Sequence, residues 1–166
     1  MSVFKKRAEE RQRRLLAARA TELDAEAGRE AALRALEAEA GALLEAIVQY
    51  LEAEMAEAKD SGYLAEVHRI RDDHSPFVGA ELSFAYILGM MPSQAKMQFR
   101  FRITIGEDKQ VRVSYICSER GQQALTLIPA ETIGSTGQAD ILPRVEASLE
   151  KFVEATEQVR AEKPAN

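Results

Sequence analysis

A stretch of strict alternation between apolar and polar residues constrains the fold of this chain more than any other feature. Apolar side chains occupy every second position over residues 97–105, and again over residues 111–117. Successive side chains of a β-strand point to opposite faces of a sheet, so this period of two indicates strands that are buried on one face. The loop near residues 106–109 must have odd length, because a slip of one residue would turn the apolar side chains outward. We therefore predict an antiparallel meander over residues 79–129.

The two ends of the meander are less sharply marked. Pro129 is predicted to end the last strand, because proline has no N–H to donate to a ladder. Residues 130–139 are polar and contain glycine, and we predict a mobile loop there. Residues 63–72 fit either an edge strand or a short helix, and we favour the strand. The sheet then has four to five strands.

Residues 140–160 have the pattern of an amphipathic helix. Their apolar side chains fall on one helical face and their charged side chains on the other. We predict that this C-terminal helix packs on the apolar side of the meander. The apolar face consists of Leu142, Val145, Leu149, Phe152 and Val159.

The N-terminal third of the chain is predicted to be helical. Residues 2–59 contain no proline and consist largely of Ala, Leu, Glu and Arg, which are strong helix formers. Gly28 and Gly41 each cost about 1 kcal/mol relative to alanine, and the apolar spacing changes phase near Gly28. We predict a frayed basic segment followed by a firm, coiled-coil-like helix from about residue 30 to 58. The predicted fold is α+β, with a long charged helix over residues 1–60 and a body over residues 61–166.

Apolar residues within the firm part of this helix follow a heptad spacing, which is typical of a helix that packs against another helix. A helix of this length extends far beyond a sheet of four or five strands, although part of its apolar stripe can pack on the sheet. We predict that the seam binds a second copy of the chain, with a dimer favoured, or the helix of a partner protein. The predicted seam consists of Leu33, Leu36, Leu43, Ile47 and Leu51, and a weaker upstream seam consists of Leu16, Ala20, Leu23 and Ala27.

The net charge of −5 conceals a segregation of charge along the chain. Residues 1–20 contain seven basic and two acidic side chains, whereas residues 21–60 contain eleven acidic and three basic ones. This segregation favours antiparallel or head-to-tail self-contact, or a basic tip that binds phosphate. The alternative function is therefore that of a nucleic-acid-associated dimer. Its phosphate-binding residues would be Lys5, Lys6, Arg7, Arg11, Arg13 and Arg14, together with Arg100, Arg102 and Arg112 on the polar face of the sheet.

The residues that could support catalysis or metal binding do not form a recognised motif. Cys117 is the single cysteine and falls on the inward face of a strand, which predicts a buried thiol. Two imidazoles and two carboxylates lie close together, but their spacing matches no established metal site and is typical of a solvated turn: His68, Asp72, Asp73 and His74. No Gly-x-Ser-x-Gly nucleophile elbow is present. We predict no catalytic residue, no metal and no cofactor.

The hydropathy of the sequence indicates the cellular location of the protein. No apolar run is long enough to span a bilayer, and the residues after Met1 are too polar for a signal peptide. These features predict a cytoplasmic protein.

Together these patterns predict a non-enzymatic interaction protein, either an adaptor or a chaperone-like protein. The order of a long helix, an antiparallel meander and a closing helix is similar to that of small bacterial nucleoid-associated proteins and secretion chaperones. This similarity is one of topology, and a fold does not by itself determine a function.

Overall fold

The computed structural model describes residues 2–86, 97–119 and 123–162. A long helix, α1, is followed by five strands and a second helix, α2, and the strands form one antiparallel sheet in the order β1-β2-β3-β4-β5. The predicted α+β architecture is confirmed, and residues 63–72 form an edge strand rather than a helix. The elements are α1 Val3–Asp60, β1 Tyr63–Asp72, β2 Phe77–Tyr86, β3 Met97–Gly106, β4 Gln110–Glu119, β5 Leu125–Ser135 and α2 Ile141–Glu162.

Both helices pack on the same face of the sheet, where they share one hydrophobic core with the inward side chains of the strands. The alternation of apolar and polar residues over β3 and β4 predicts which side chains of these two strands point inward. Phe152 of α2 is fully buried at the centre, and its ring lies 5.5–6.3 Å from four aromatic rings of the sheet. Those rings belong to Phe84, Phe99, Phe101 and Tyr115.

The turn between β3 and β4 has the odd length that the apolar pattern requires. Ile105 pairs with Val111, so inward residues face inward residues across the two strands. Lys109 closes the turn with a left-handed φ of 62°, and its N–H donates to the carbonyl of Gly106 at 2.9 Å. A left-handed residue at the end of a three-residue loop is a common way to connect two antiparallel strands.

The prediction that Pro129 ends the meander, with a loop over residues 130–139, is wrong. β5 continues to Ser135, because the ladder shifts register around Pro129. Val113 pairs with Glu131 while Tyr115 pairs with Ile128, which leaves an extra residue on β5. Such a bulge on an edge strand accommodates a proline that cannot donate a hydrogen bond.

Helix α1 is continuous over 58 residues, which corresponds to about 87 Å at 1.5 Å per residue. The predicted change from a frayed to a firm segment near Gly28 is therefore wrong. The strong helix formers on both sides of Gly28 outweigh its cost of about 1 kcal/mol. Neither described helix has a segment that is long and apolar enough to cross a membrane.

Candidate interaction surfaces

The N-terminal part of α1 extends away from the rest of the molecule. Every residue from 2 to 28 is exposed, and we call this segment the arm. Large apolar side chains on the arm are more than half exposed, including Leu16 and Leu23 of the weaker upstream seam. Most of the large apolar side chains that the described residues expose belong to the arm: Val3, Phe4, Leu15, Leu16 and Leu23, against Leu125 and Leu142 elsewhere.

The basic side chains of the arm form no salt bridge within the described structure. They are exposed along the helix, and no salt bridge joins any of them to an acidic residue in the described ranges. Six of the predicted phosphate-binding residues are among them. The basic residues of the arm are Lys5, Lys6, Arg7, Arg11, Arg13, Arg14 and Arg19. The positive charge of the arm is concentrated in residues 2–20, which have seven basic and two acidic side chains, and no described tertiary contact uses this charge or the apolar seam.

The predicted helix seam lies mostly in the core of its own chain. Leu33, Leu36, Ile47 and Leu51 are at most 5% exposed and pack against the sheet, whereas Leu43 is partly buried at the edge of this contact. A heptad spacing fits packing on a sheet as well as packing on another helix. These four side chains are therefore not exposed for a partner helix, and a partner can reach only Leu43 on this seam.

A groove of about 500 Å³ lies between the C-terminal part of α1 and helix α2. Its apolar lining includes Tyr50, Leu82, Phe84, Leu149 and Val153. Five carboxylates surround this lining, and no basic residue in the described ranges forms a salt bridge with any of them. We call this the acidic groove, and its carboxylates belong to Glu54, Glu57, Glu146, Glu150 and Glu154.

Tyr50 lies in the acidic groove together with its glutamates. Burial raises the pKa of its hydroxyl well above the ordinary value, and the charges of Glu54, Glu146 and Glu150 raise it further. A negative field that disfavours ionisation of a phenol favours a cation at the same place. The groove therefore combines an apolar lining with an attraction for positive charge.

The arginines predicted on the polar face of the sheet do not join the arm in one surface. Arg102 forms an ion pair with Glu81, and Arg112 forms one with Asp108. The Arg112 guanidinium holds the pKa of the Asp108 carboxyl below its usual value. Only Arg100 has no ion pair, and its Nε is buried without a hydrogen-bond partner among the described residues. Among the described residues, the arm is therefore the main surface whose basic side chains form no ion pair.

Asp72, Asp73 and His74 meet in the turn between β1 and β2, with potential ligand atoms within 4.8 Å of one another. The backbone N–H of His74 donates to Asp72 at 2.8 Å, and the His74 ring bonds to Asp73 at the same distance. These bonds satisfy the cluster locally, and the bond to the His74 ring lowers the pKa of Asp73 below its usual value. His68 lies apart on β1 and bonds to Glu66.

Comparison of the chain with protein-family models, curated proteins and solved structures found no match. The geometry of the arm and the acidic groove is therefore the basis for the functional proposal.

The sequence pattern did not identify the acidic groove. Glu146, Glu150 and Glu154 have the spacing of an ordinary solvated helix face, and Glu54 and Glu57 have that spacing on α1. The groove exists only because α1 and α2 lie side by side on the sheet. The one available signal is that each helix has two or three glutamates beside its apolar stripe.

Proposed function

We propose that this chain is a non-enzymatic interaction protein, of the adaptor or chaperone-like kind, that self-associates through the arm. The observation that supports this proposal is the arm itself: residues 2–28 continue α1 beyond the body with an exposed apolar seam. Helices in proteins gain most of their stability from packing an apolar face. An exposed apolar stripe of this kind marks an interaction site.

Two features favour a helix as the binding partner. Leu16, Ala20, Leu23 and Ala27 repeat at intervals of four and three residues, which is the spacing at which two helices pack. The alternation of leucine with alanine along this seam allows close approach of a second helix. The reversal from basic to acidic residues along α1 then favours an antiparallel copy of the same chain.

A non-enzymatic role agrees with the chemistry of the described surface. Its carboxylates lie on exposed helix faces, in ion pairs or around the acidic groove, and the described lining of the groove contains no histidine that could act as a base beside them. The two histidines lie exposed on β1 and in the β1–β2 turn, each bonded to a neighbouring carboxylate.

The test is the solution mass by light scattering, for the full chain and for a chain that lacks residues 2–28. Leu16→Glu with Leu23→Glu places two charges on the seam, and Ala18→Glu with Ala25→Glu places two charges on the opposite side of the arm at the same spacing. We expect a dimer for the full chain and for the alanine variant, and a monomer for the deletion and the leucine variant. A mass that does not depend on the arm would contradict the proposed function.

The unpaired basic residues of the arm favour nucleic-acid binding as a second candidate function. The logarithm of the affinity for DNA falls linearly with the logarithm of the salt concentration, and each phosphate contact makes this slope steeper. If this function holds, the full chain will bind a duplex DNA with salt-sensitive affinity, and deletion of residues 2–20 will abolish the binding. Binding that survives the deletion would assign the contact to Arg100 and its neighbours on the sheet.

A further inference from the structure

We propose that the acidic groove of one chain receives the arm of a second copy, and that the second copy's groove receives the arm of the first. This inference rests on the proposed self-association and names the surface that accepts the arm. The arm carries seven unpaired basic side chains, and the groove carries five unpaired carboxylates around an apolar lining. Docking of an amphipathic helix into a groove matches apolar faces and opposite charges at once.

The arm cannot reach the groove of its own chain. Both lie on the same continuous helix, and the groove begins at Tyr50, more than twenty residues after the arm ends at Gly28. At 1.5 Å per residue this separation is about 33 Å, and the arm points away from the groove. The contact must therefore form between two chains.

The lengths of the two parts of α1 match. The helical part of the arm, residues 3–28, is roughly 39 Å long, and the part of α1 that packs on the body, residues 33–60, is roughly 42 Å long. The arm is therefore long enough to run along the part of α1 that packs on a second chain's body. Exchange of both arms makes the two contacts equivalent, as in most dimers, which are symmetric.

The charges of the two surfaces are opposite in sign. Residues 5–14 contain six basic and two acidic side chains, and Glu54 and Glu57 of α1 border the groove. Helix α2 supplies Glu150 and Glu154 on the other side of the groove. The groove volume of about 500 Å³ suits several side chains of the arm rather than the whole helix.

The test exchanges the charges of the two surfaces. The arm variant is Arg11→Glu, Arg13→Glu and Arg14→Glu, and the groove variant is Glu54→Lys, Glu150→Lys and Glu154→Lys. The control variant is Glu66→Lys with Glu107→Lys, which adds positive charge at exposed positions outside the groove and away from α1. Dimer dissociation constants are measured by light scattering over a range of protein concentrations.

We expect each charge-reversed variant alone to dissociate at least tenfold more readily than the full wild-type chain. An equimolar mixture should form dimers that contain one chain of each variant, because a negative arm then meets a positive groove and the reverse. The control variant should keep the wild-type dissociation constant. Circular dichroism on every variant checks the fold, and if the lysine variant is misfolded, Glu54→Gln with Glu150→Gln weakens the same contact without reversing charge.

Several outcomes would overturn the inference. A groove variant with the wild-type dissociation constant would assign the dimer to direct pairing of two arms, and the proposed function would stand. A mixture that fails to form dimers from two folded variants would also overturn arm exchange. A wild-type chain that is monomeric throughout would overturn both the inference and the proposed self-association.

Discussion

Glu81 and Arg102 form an ion pair across β2 and β3, on the face of the sheet opposite the helices. Nε and Nη2 of Arg102 lie 2.8 and 2.7 Å from the same carboxylate oxygen of Glu81, and the hydroxyl of Ser83 donates to the other oxygen at 3.3 Å. The Glu81 side chain is only 10% exposed. A carboxylate this deeply buried depends on the guanidinium for its stability.

Arg102→Gln leaves the Glu81 carboxylate without its counter-charge, and we expect the free energy of unfolding to fall by about 2 kcal/mol. The control is Arg112→Gln, since its pair with Asp108 is about half exposed and should contribute much less to stability. Urea denaturation at neutral pH measures both. Adding Glu81→Gln to Arg102→Gln should recover part of the loss. Equal losses for the two single variants would mean that burial of Glu81 does not increase the contribution of its ion pair to stability.

Sequence patterns were sufficient to predict the sheet and its two faces, because side-chain direction in a strand has a fixed period. They were not sufficient to predict the end of β5. Pro129 is a strong local signal against a strand, but the bulge that accommodates it depends on pairing with Tyr115 and Val113 of β4. Local residue preferences do not contain that pairing.

The heptad stripe of α1 shows a second limit of sequence patterns. Leu33, Leu36, Ile47 and Leu51 pack on the sheet of their own chain, yet their spacing would be the same in a dimer of helices. Spacing determines which side of a helix is buried but not what covers it. The acidic groove was missed for a related reason, since it depends on the distance between two packed helices.

The pair formed by Tyr115 and Glu131 predicts a specific dependence of stability on pH. The Tyr115 hydroxyl donates to Glu131, and Lys151 lies 3.4 Å from the same carboxylate. The hydrogen bond from Tyr115 holds the pKa of Glu131 below its usual value of 4.5, with a further contribution from Lys151. Because the folded-state pKa is lowered, this stabilisation is complete above about pH 4.5 and is lost as the pH falls through the folded-state pKa.

Tyr115→Phe should lower the free energy of unfolding at pH 7 by about 1–2 kcal/mol, because it removes a hydrogen bond to a charged group. Its stability should also decrease less than that of the wild type between pH 5 and pH 3. Urea denaturation at several pH values measures both effects. A pH profile of Tyr115→Phe that runs parallel to that of the wild type would contradict this role of Glu131.

Two glycines should respond in opposite directions to alanine. A Cβ at Gly79 would lie 2.0 Å from the carbonyl oxygen of Ile103 on the neighbouring strand, so Gly79→Ala forces two central strands apart. We expect it to lower the free energy of unfolding by more than about 2 kcal/mol. A Cβ at Gly41 meets nothing within 4 Å, and Gly41→Ala should raise the free energy by about 1 kcal/mol. Thermal and urea denaturation compare the two, and a tolerated Gly79→Ala would contradict the close approach of β2 and β3.

Gly28 lies where the arm leaves the body. Substitution there tests whether arm exchange requires the arm to continue the body part of α1 without a bend. Proline in a helix interior removes a hydrogen bond and clashes with the preceding turn, so Gly28→Pro should bend the arm away from its axis. We expect the dimer to dissociate at least tenfold more readily by light scattering. The urea midpoint of the body should stay unchanged at a concentration where both proteins are monomers, because residues 2–28 make no contact with the core. Gly28→Ala, which has free space around its Cβ, is the matched control and should dimerise at least as well as the wild type. A bent arm that dimerises normally would mean that the arm binds independently of its alignment with the rest of α1.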